Sequence, residues 1–168
     1  MEYAIGLAAD GLLILVLLIA VIALLFRVPS GPKRYDLYSR ILMAGVSSYM
    51  FAKLVSLVFQ PDSLRPFEKL GLEPGAAYLD NPGFPSDHAL FAVFLTLAVW
   101  FAVRDRRLMI IMSVLTVVMS IARVLALVHT PLDIIGGFVF AFMGALWYLN
   151  DSSKLLFIPG QILKKVVK

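Results

Sequence analysis

Both histidines of the chain stand where a polar stretch gives way to an apolar one. His88 opens an apolar run, and His129 precedes a second run that carries Asp133 four residues later. Residues four apart meet on one face of a helix, where a carboxylate can fix the tautomer of an imidazole and stabilise its charged form. A histidine held in this way can act as a nucleophile or a base. The stretch from Thr130 to Asp133 also fits a helix-capping box, so a purely structural use stays open.

Ser86 and Asp87 stand beside His88 at the predicted start of a helix. A helix start offers unpaired N–H groups and a partial positive charge, which together suit an anion such as phosphate. The alternative is that Ser86 or Asp87 only caps the helix and that His88 is an interfacial residue.

Three basic residues, Lys53, Arg65 and Arg123, are predicted to lie at the same membrane depth as the histidines. An ionisable group within a span is costly, which makes Lys53 and Arg123 functional candidates, although a lysine can also reach the interface along its own stem. Two histidines, an aspartate and three cations suit cleavage of a phosphate ester. The cations hold the phosphoryl oxygens, one histidine attacks phosphorus and the other protonates the leaving oxygen. We predict no metal and no cofactor, because three cations would repel a metal ion that has few available ligands.

In their order along the chain, these residues resemble the three motifs of the type 2 phosphatidic acid phosphatase superfamily, KxxxxxxRP, PSGH and SRxxxxxHxxxD. The resemblance covers residues 53–137 and rests on Arg65-Pro66, on Pro85-Ser86-Asp87-His88, and on Ala122-Arg123 followed by His129 and Asp133. It implies that His129 forms a phosphohistidine, that Asp133 orients it, and that His88 protonates the leaving group and later activates water. It also implies that the phosphoryl group is held by Lys53, Arg65, Arg123, Ser86 and the backbone of Asp87.

The chain departs from the family pattern at three positions. Lys53 lies 12 residues before Arg65, which is five more than in the pattern, so Lys69 is an alternative first-motif cation. Asp87 replaces a glycine, and we expect its carboxylate to point away from the phosphate or to bind a cation of the ligand or a neighbouring arginine. Ala122 replaces a serine, which removes one hydroxyl donor.

Within this superfamily, Pro-Ser-Asp-His, the preceding Arg65-Pro66-Phe67 and the following His-x-Pro-Leu-Asp are most similar to bacterial undecaprenyl-diphosphatases. This resemblance implies hydrolysis of undecaprenyl diphosphate at a plasma membrane. The alternatives are a phosphatase for phosphatidylglycerophosphate, phosphatidic acid or another phosphorylated envelope lipid, and a non-catalytic lipid-phosphate binder or transporter. The expected partners are therefore a lipid phosphate and the membrane, with no nucleic acid.

The composition predicts the elements that must position these residues. Of 168 residues, 61% are hydrophobic and 15% are charged, which is too apolar for a soluble domain. We predict an all-α, polytopic membrane bundle of about five transmembrane helices that forms a single domain over residues 1–168. The absence of cysteine excludes disulfides, thiolate metal sites and a cysteine nucleophile.

The predicted spans are separated by a basic loop at 27–40, a long polar loop at 60–86 and two short turns. A tail with interleaved apolar and basic residues at 150–168 is predicted to lie on the membrane surface. The spans themselves are predicted at 3–26, 42–59, 88–103, 108–128 and 132–149.

The basic residues predict the orientation of the bundle. Five spans place four of the 15 basic residues, Lys53, Arg65, Lys69 and Arg123, on one side and the rest on the other. Because basic loops stay in the cytoplasm, the N-terminus is predicted outside and the C-terminal tail inside. The loop at 60–86 and both histidines would then share the outer face.

Overall fold

The protein is a helical bundle, seen here in a computed structural model that describes residues 2–31 and 33–149. No strand occurs in those ranges, so the all-α prediction is confirmed for this part of the chain. The predicted surface tail at 150–168 lies outside the described residues. The helices are α1 (Glu2–Phe26), α2 (Lys33–Val58), α3 (Pro66–Leu70), α4 (Asp87–Val103), α5 (Arg106–Leu125), α6 (Pro131–Gly144) and α7 (Leu146–Leu149).

Four stretches within the described ranges are long and apolar enough to cross a membrane: α1, α2, α5, and α6 together with α7. Helix α4 is apolar and 17 residues long, at the short end of the range for a span. Large apolar side chains cover the outer faces of the bundle, as a hydrocarbon environment requires. The chain is a multi-pass membrane protein.

The predicted basic loop at 27–40 is wrong, because α2 begins at Lys33. Local pairs keep these charged turns helical. Arg40 Nε donates to Asp36 Oδ2 at 2.9 Å, one turn away. The hydroxyl of Tyr38 donates to the carbonyl oxygen of Leu24 at 2.7 Å, which satisfies a carbonyl at the end of α1.

Helix α4 lies at the centre of the bundle and packs against α1, α2, α5 and α6. Small residues permit these close approaches. On α1, Ala9, Ala20 and Ala23 are buried. On α6, a Cβ atom at Gly137 would lie 2.6 Å from the carbonyl oxygen of Ser86, so the absence of a side chain there lets α6 lie against the start of α4.

The bundle has two chemically different ends. At one end Arg27, which follows α1, pairs with Asp105 between α4 and α5 at 2.8 Å. At the opposite end lie the C-terminal ends of α2 and α5 and the starts of α4 and α6. All the residues predicted to do chemistry stand at this second end, because consecutive helices run in opposite directions.

The loop between α2 and α4 covers that second end. It was predicted as a long polar loop, but it contains the short helix α3. Its backbone binds the turn between α5 and α6. Phe67 N donates to Leu127 O at 3.0 Å, and Gly75 N donates to Ala126 O at 3.1 Å. A Cβ atom at Gly75 would lie 3.0 Å from the Cα atom of Ala126, so this contact needs glycine.

Candidate active site

His129 lies in the turn between α5 and α6. Helix α5 ends at Leu125, three residues earlier than predicted, because Leu127 adopts a left-handed backbone conformation with φ of 59°. The turn buries His129 to 5% exposure. Its Nδ1 atom lies 3.5 Å from Oδ2 of Asp133, at the outer limit of hydrogen-bond distance, and has no closer partner among the described residues. The nitrogen left to face a substrate is therefore Nε2.

The capping box that the sequence also allowed is present and holds Asp133 in place. Thr130 N donates to Asp133 Oδ2 at 2.7 Å, and Asp133 N donates to Thr130 Oγ1 at 3.2 Å. Pro131 occupies the first helical position, where its missing N–H costs nothing. The structural and chemical readings of this stretch are thus compatible, since one carboxylate caps α6 and faces the imidazole.

Electrostatics favour a neutral His129. Burial lowers the pKa of His129 below its ordinary value of 6.5, and the charges of Arg123 and Arg65 act in the same direction. Asp133 opposes this shift. A neutral imidazole carries the lone pair that nucleophilic attack requires.

Arg65 is buried at the start of α3 and is held from several directions. Its Nη1 atom donates to Val128 O at 2.6 Å, and its Nη2 atom donates to Leu79 O at 3.2 Å and to Asn81 Oδ1 at 3.0 Å. Burial lowers the pKa of Arg65, and the charge of Asp133 opposes that shift. A guanidinium group stays charged in proteins, so Arg65 brings a fixed positive charge next to the His129 turn.

Arg123, in the last turn of α5, is almost fully buried. Its Nη1 atom donates to Asp10 Oδ1 at 2.7 Å and to Ala77 O at 2.9 Å. The same atom lies 3.5 Å from Nε2 of His88, which stands in the first turn of α4. The structure therefore brings the second-motif histidine next to the third-motif arginine.

Asp10 was not among the predicted site residues. Its carboxylate lies on α1, receives the hydrogen bond from Arg123, and stands 4.0 Å from His88 Nε2. The available signal was one acidic residue within an otherwise apolar span, which is a reason to suspect function. Nothing in the sequence indicated its partner, which lies 113 residues away.

Lys53 and Asp87 form an ion pair at the cavity. The Nζ atom of Lys53 lies 2.9 Å from both carboxylate oxygens of Asp87. Asp87 was expected to point away or to bind a cation of the ligand or a neighbouring arginine, and this expectation is wrong, because Asp87 lines the cavity and binds Lys53. Lys69, the alternative first-motif cation, pairs instead with Asp62 and does not line the cavity.

Ser86 caps α4 from behind the site. Its Oγ atom accepts from Ala89 N at 3.4 Å, and its own N–H donates to Asp133 O at 3.0 Å. The residue is fully buried and does not line the cavity. In this structure Ser86 joins the start of α4 to the start of α6, while its predicted contact with phosphate stays a prediction.

A cavity of about 590 Å³ joins these groups. Residues 77–83 of the long loop form its roof, and α2 forms one wall, in which Leu57 is 80% exposed. Within the described part of the chain no group of three acidic, histidine or cysteine side chains could hold a metal. The polar and charged side chains in its lining are Lys53, Ser56, Gln60, Arg65, Tyr78, Asn81, Asp87, His88, Arg123 and His129.

Comparison with known proteins agrees with this geometry at the level of the family. No curated protein and no solved structure matches the chain. The model of the PAP2 superfamily matches residues 36–156, which is most of the chain and includes both histidines and both buried arginines. The members of this superfamily are phosphatases. With motif order, cavity and family match in agreement, the chain belongs to the PAP2 superfamily.

Proposed function

We propose that this protein is an integral membrane lipid phosphatase that hydrolyses undecaprenyl diphosphate to undecaprenyl phosphate through a phosphohistidine at His129. The observation that carries the proposal is the position of His129 in the cavity. Its Nδ1 atom faces Asp133, and Arg65 holds the carbonyl group of the preceding residue. The proposed nucleophile His129 therefore lies next to both its orienting carboxylate, Asp133, and a phosphate-binding cation, Arg65.

In the first half-reaction, Nε2 of His129 attacks the terminal phosphorus and the bond from phosphorus to the leaving oxygen breaks. His88 donates a proton to that oxygen, so the lipid leaves as a monophosphate. Arg65 and Arg123 stabilise the charge that develops on the equatorial oxygens. In the second half-reaction, His88 takes a proton from water, and the resulting hydroxide breaks the P–N bond and releases inorganic phosphate.

The lipid character of the substrate is supported by the cavity wall. Leu57 lines the cavity and is also exposed on the surface of α2. The hydrocarbon chain of a lipid can therefore run past Leu57 from the headgroup site into the bilayer. The phosphate-binding groups contact only the headgroup, so they do not distinguish undecaprenyl diphosphate from phosphatidylglycerophosphate or phosphatidic acid.

We place the cavity on the outer face of the plasma membrane. The support is the distribution of charge, because the basic residues of the α1–α2 and α4–α5 connections gather at the end of the bundle away from the cavity. Basic connections stay in the cytoplasm. An outward-facing cavity suits a carrier lipid whose diphosphate is exposed outside the cell.

The test is phosphate release by the detergent-purified protein in the presence of EDTA. Undecaprenyl diphosphate, phosphatidylglycerophosphate and phosphatidic acid are compared side by side, and the fastest substrate identifies the lipid class. We expect EDTA-resistant release that His129→Ala abolishes, and the melting temperature of the variant checks that it is folded, since His129 is buried.

Covalent trapping tests the intermediate directly. Diphosphate lipid labelled in its terminal phosphate should transfer label to the wild-type protein, in an acid-labile and alkali-stable bond, and not to His129→Asn. Absence of phosphate release from all three lipids would contradict the proposed enzyme, and release without transfer of label would contradict the phosphohistidine.

A further inference from the structure

The carboxylate of Asp10 connects three parts of the cavity. Its Oδ1 atom accepts from Arg123 Nη1 at 2.7 Å, and its Oδ2 atom accepts from Ala77 N at 2.9 Å. The carbonyl oxygen of Ala77 accepts from the same Nη1 atom at 2.9 Å. Asp10, Ala77 and Arg123 therefore form a closed ring of three hydrogen bonds that joins α1, the cavity roof and α5.

This ring determines which way Arg123 points. One guanidinium nitrogen, Nη1, is held by Asp10 and Ala77, which fixes the orientation of the group where Arg123 lines the cavity. The Arg123 side chain is only 2% exposed, whereas that of Asp10 is 36% exposed. A buried guanidinium needs a partner of opposite charge, and Asp10 is the carboxylate in contact with it.

The ring also fixes the roof. Ala77 sits between Asp10 and Arg123, and nearby Gly6 of α1 is so close to the loop that a Cβ atom there would lie 2.7 Å from Gly75 O. Helix α1 is thus the surface on which this part of the loop rests. The phosphate-binding arginine and the cavity roof depend on the same carboxylate.

We propose that Asp10 is a positioning residue of the active site, which orients Arg123 toward the phosphoryl group and holds the roof at Ala77 over it. The proposal rests on the proposed function for its substrate. It adds a role for α1, a helix that contributes none of the three family motifs.

Two neutral variants separate hydrogen bonding from charge. Asp10→Asn and Asp10→Leu both keep four side-chain heavy atoms with a branch at Cγ, but only asparagine keeps an oxygen that can accept a hydrogen bond. Because both variants have lost the negative charge, a difference in activity or affinity between them does not arise from that loss. Asp36→Asn is the matched control, because Asp36 is a carboxylate on another long helix that pairs with Arg40 away from the cavity.

The first measurement is the Kd of inorganic phosphate. It is obtained from the rise in the melting temperature of the detergent-purified protein as phosphate is added. We expect Asp10→Leu to bind phosphate about tenfold more weakly than Asp10→Asn, the scale of one lost hydrogen bond to a charged group. Its kcat/KM for the lipid substrate should fall by a similar factor relative to Asp10→Asn, while Asp36→Asn matches wild type in both.

The outcomes separate this inference from the proposed function. Equal phosphate affinity in Asp10→Asn and Asp10→Leu would overturn the positioning role, even if the wild-type enzyme is fully active. A wild-type protein without lipid phosphatase activity would contradict the proposed function, and the phosphate measurement would still decide about Asp10. If Asp10→Leu does not fold, Asp10→Ala takes its place, and equal phosphate affinity in Asp10→Ala and Asp10→Asn would overturn the inference.

Discussion

The Nη1 atom of Arg65 donates to the carbonyl oxygen of Val128 at 2.6 Å, although 63 residues separate the two in sequence. Val128 immediately precedes His129. The arginine of the first motif therefore holds the backbone that carries the histidine of the third motif. Arg65, which we propose as a phosphate-binding cation, thus also supports the turn that carries the proposed nucleophile.

Arg65→Lys should lower kcat/KM by about 100-fold, the scale of a lost transition-state donor, although the charge is conserved. A lysine ammonium lacks the planar fork that reaches Val128, Leu79 and Asn81 together. The measurement is steady-state hydrolysis of the preferred lipid. Arg106→Lys is the control, because Arg106 is exposed at the other end of the bundle. Wild-type kcat/KM in Arg65→Lys would contradict this account.

The Lys53–Asp87 pair predicts an unusual gain of affinity. Asp87→Asn should lower KM for the lipid phosphate by about fivefold, because the Lys53 ammonium is released from its carboxylate and its charge becomes available to the cavity. The melting temperature should hardly change, since the Lys53 side chain is 36% exposed and such pairs contribute little to stability.

A double-mutant cycle checks the source of this gain. In a Lys53→Met background, Asp87→Asn should leave KM unchanged. If the KM still falls there, Asp87 acts directly on the phosphate and Lys53 is not the intermediary.

The lowered pKa of His129 predicts that activity persists to a lower pH than an ordinary histidine would allow. A base with a lowered pKa stays neutral below pH 6.5, so activity is lost only as the pH falls through that lowered value. Because the chain has two histidines, His88→Asn leaves His129 as the single imidazole. NMR of this variant with labelled histidine measures the titration without interference from the phosphate of a substrate.

The same variant after unfolding supplies the reference, and should titrate near the ordinary value. A folded-state midpoint equal to or above that of the unfolded protein would show that Asp133, and not burial, dominates the environment of His129.

Gly83→Ala should slow the chemistry with little loss of stability. A Cβ atom at Gly83 would lie 3.1 Å from Asp133 Oδ2 and 3.6 Å from His129 Nδ1, so the carboxylate must shift by a few tenths of an ångström. Asp133 Oδ2 also accepts the hydrogen bond from Thr130 N, so its shift disturbs the start of α6 as well as the contact with His129. We expect kcat to fall by about tenfold, because the orienting carboxylate is misplaced.

Gly31→Ala is the matched control for this prediction. A Cβ atom there would meet nothing within 4 Å, and the position lies between α1 and α2. The two substitutions add the same methyl group to a loop. Equal kcat in both variants would mean that the cavity tolerates the methyl group and that Asp133 keeps its place.

Much of this arrangement could be predicted from local patterns. Short stretches of sequence contain the ends of the apolar runs, the threonine and proline that start α6, and each of the three motifs. These features predicted that His88, Arg123, His129 and Asp133 gather at one end of a helical bundle. The structure brings the first three to one cavity and places Asp133 beside His129.

What could not be predicted depends on contacts between distant helices. The partners of Asp10 and Lys53 lie 113 and 34 residues away, and no spacing rule connects them. The start of α2 was missed because its charged turns read as a loop, while their pairing with each other and with the end of α1 keeps them helical. Helix α3 is five residues long, too short to show a periodic pattern.

The distribution of the cavity residues along the chain also bears on how the protein is made. They come from successive helices, and the last of them stand at the start of α6. A chain under synthesis enters the membrane from its N-terminus, so every intermediate that ends before the turn between α5 and α6 lacks the proposed nucleophile and its carboxylate. Under the proposed function, catalytic competence is therefore acquired late in membrane insertion, and a product arrested before this turn has no phosphatase activity. The residues that line the cavity are Lys53 of α2, His88 of α4, Arg123 of α5 and His129 before α6, and they are contacted by Asp10 of α1 and Asp133 of α6.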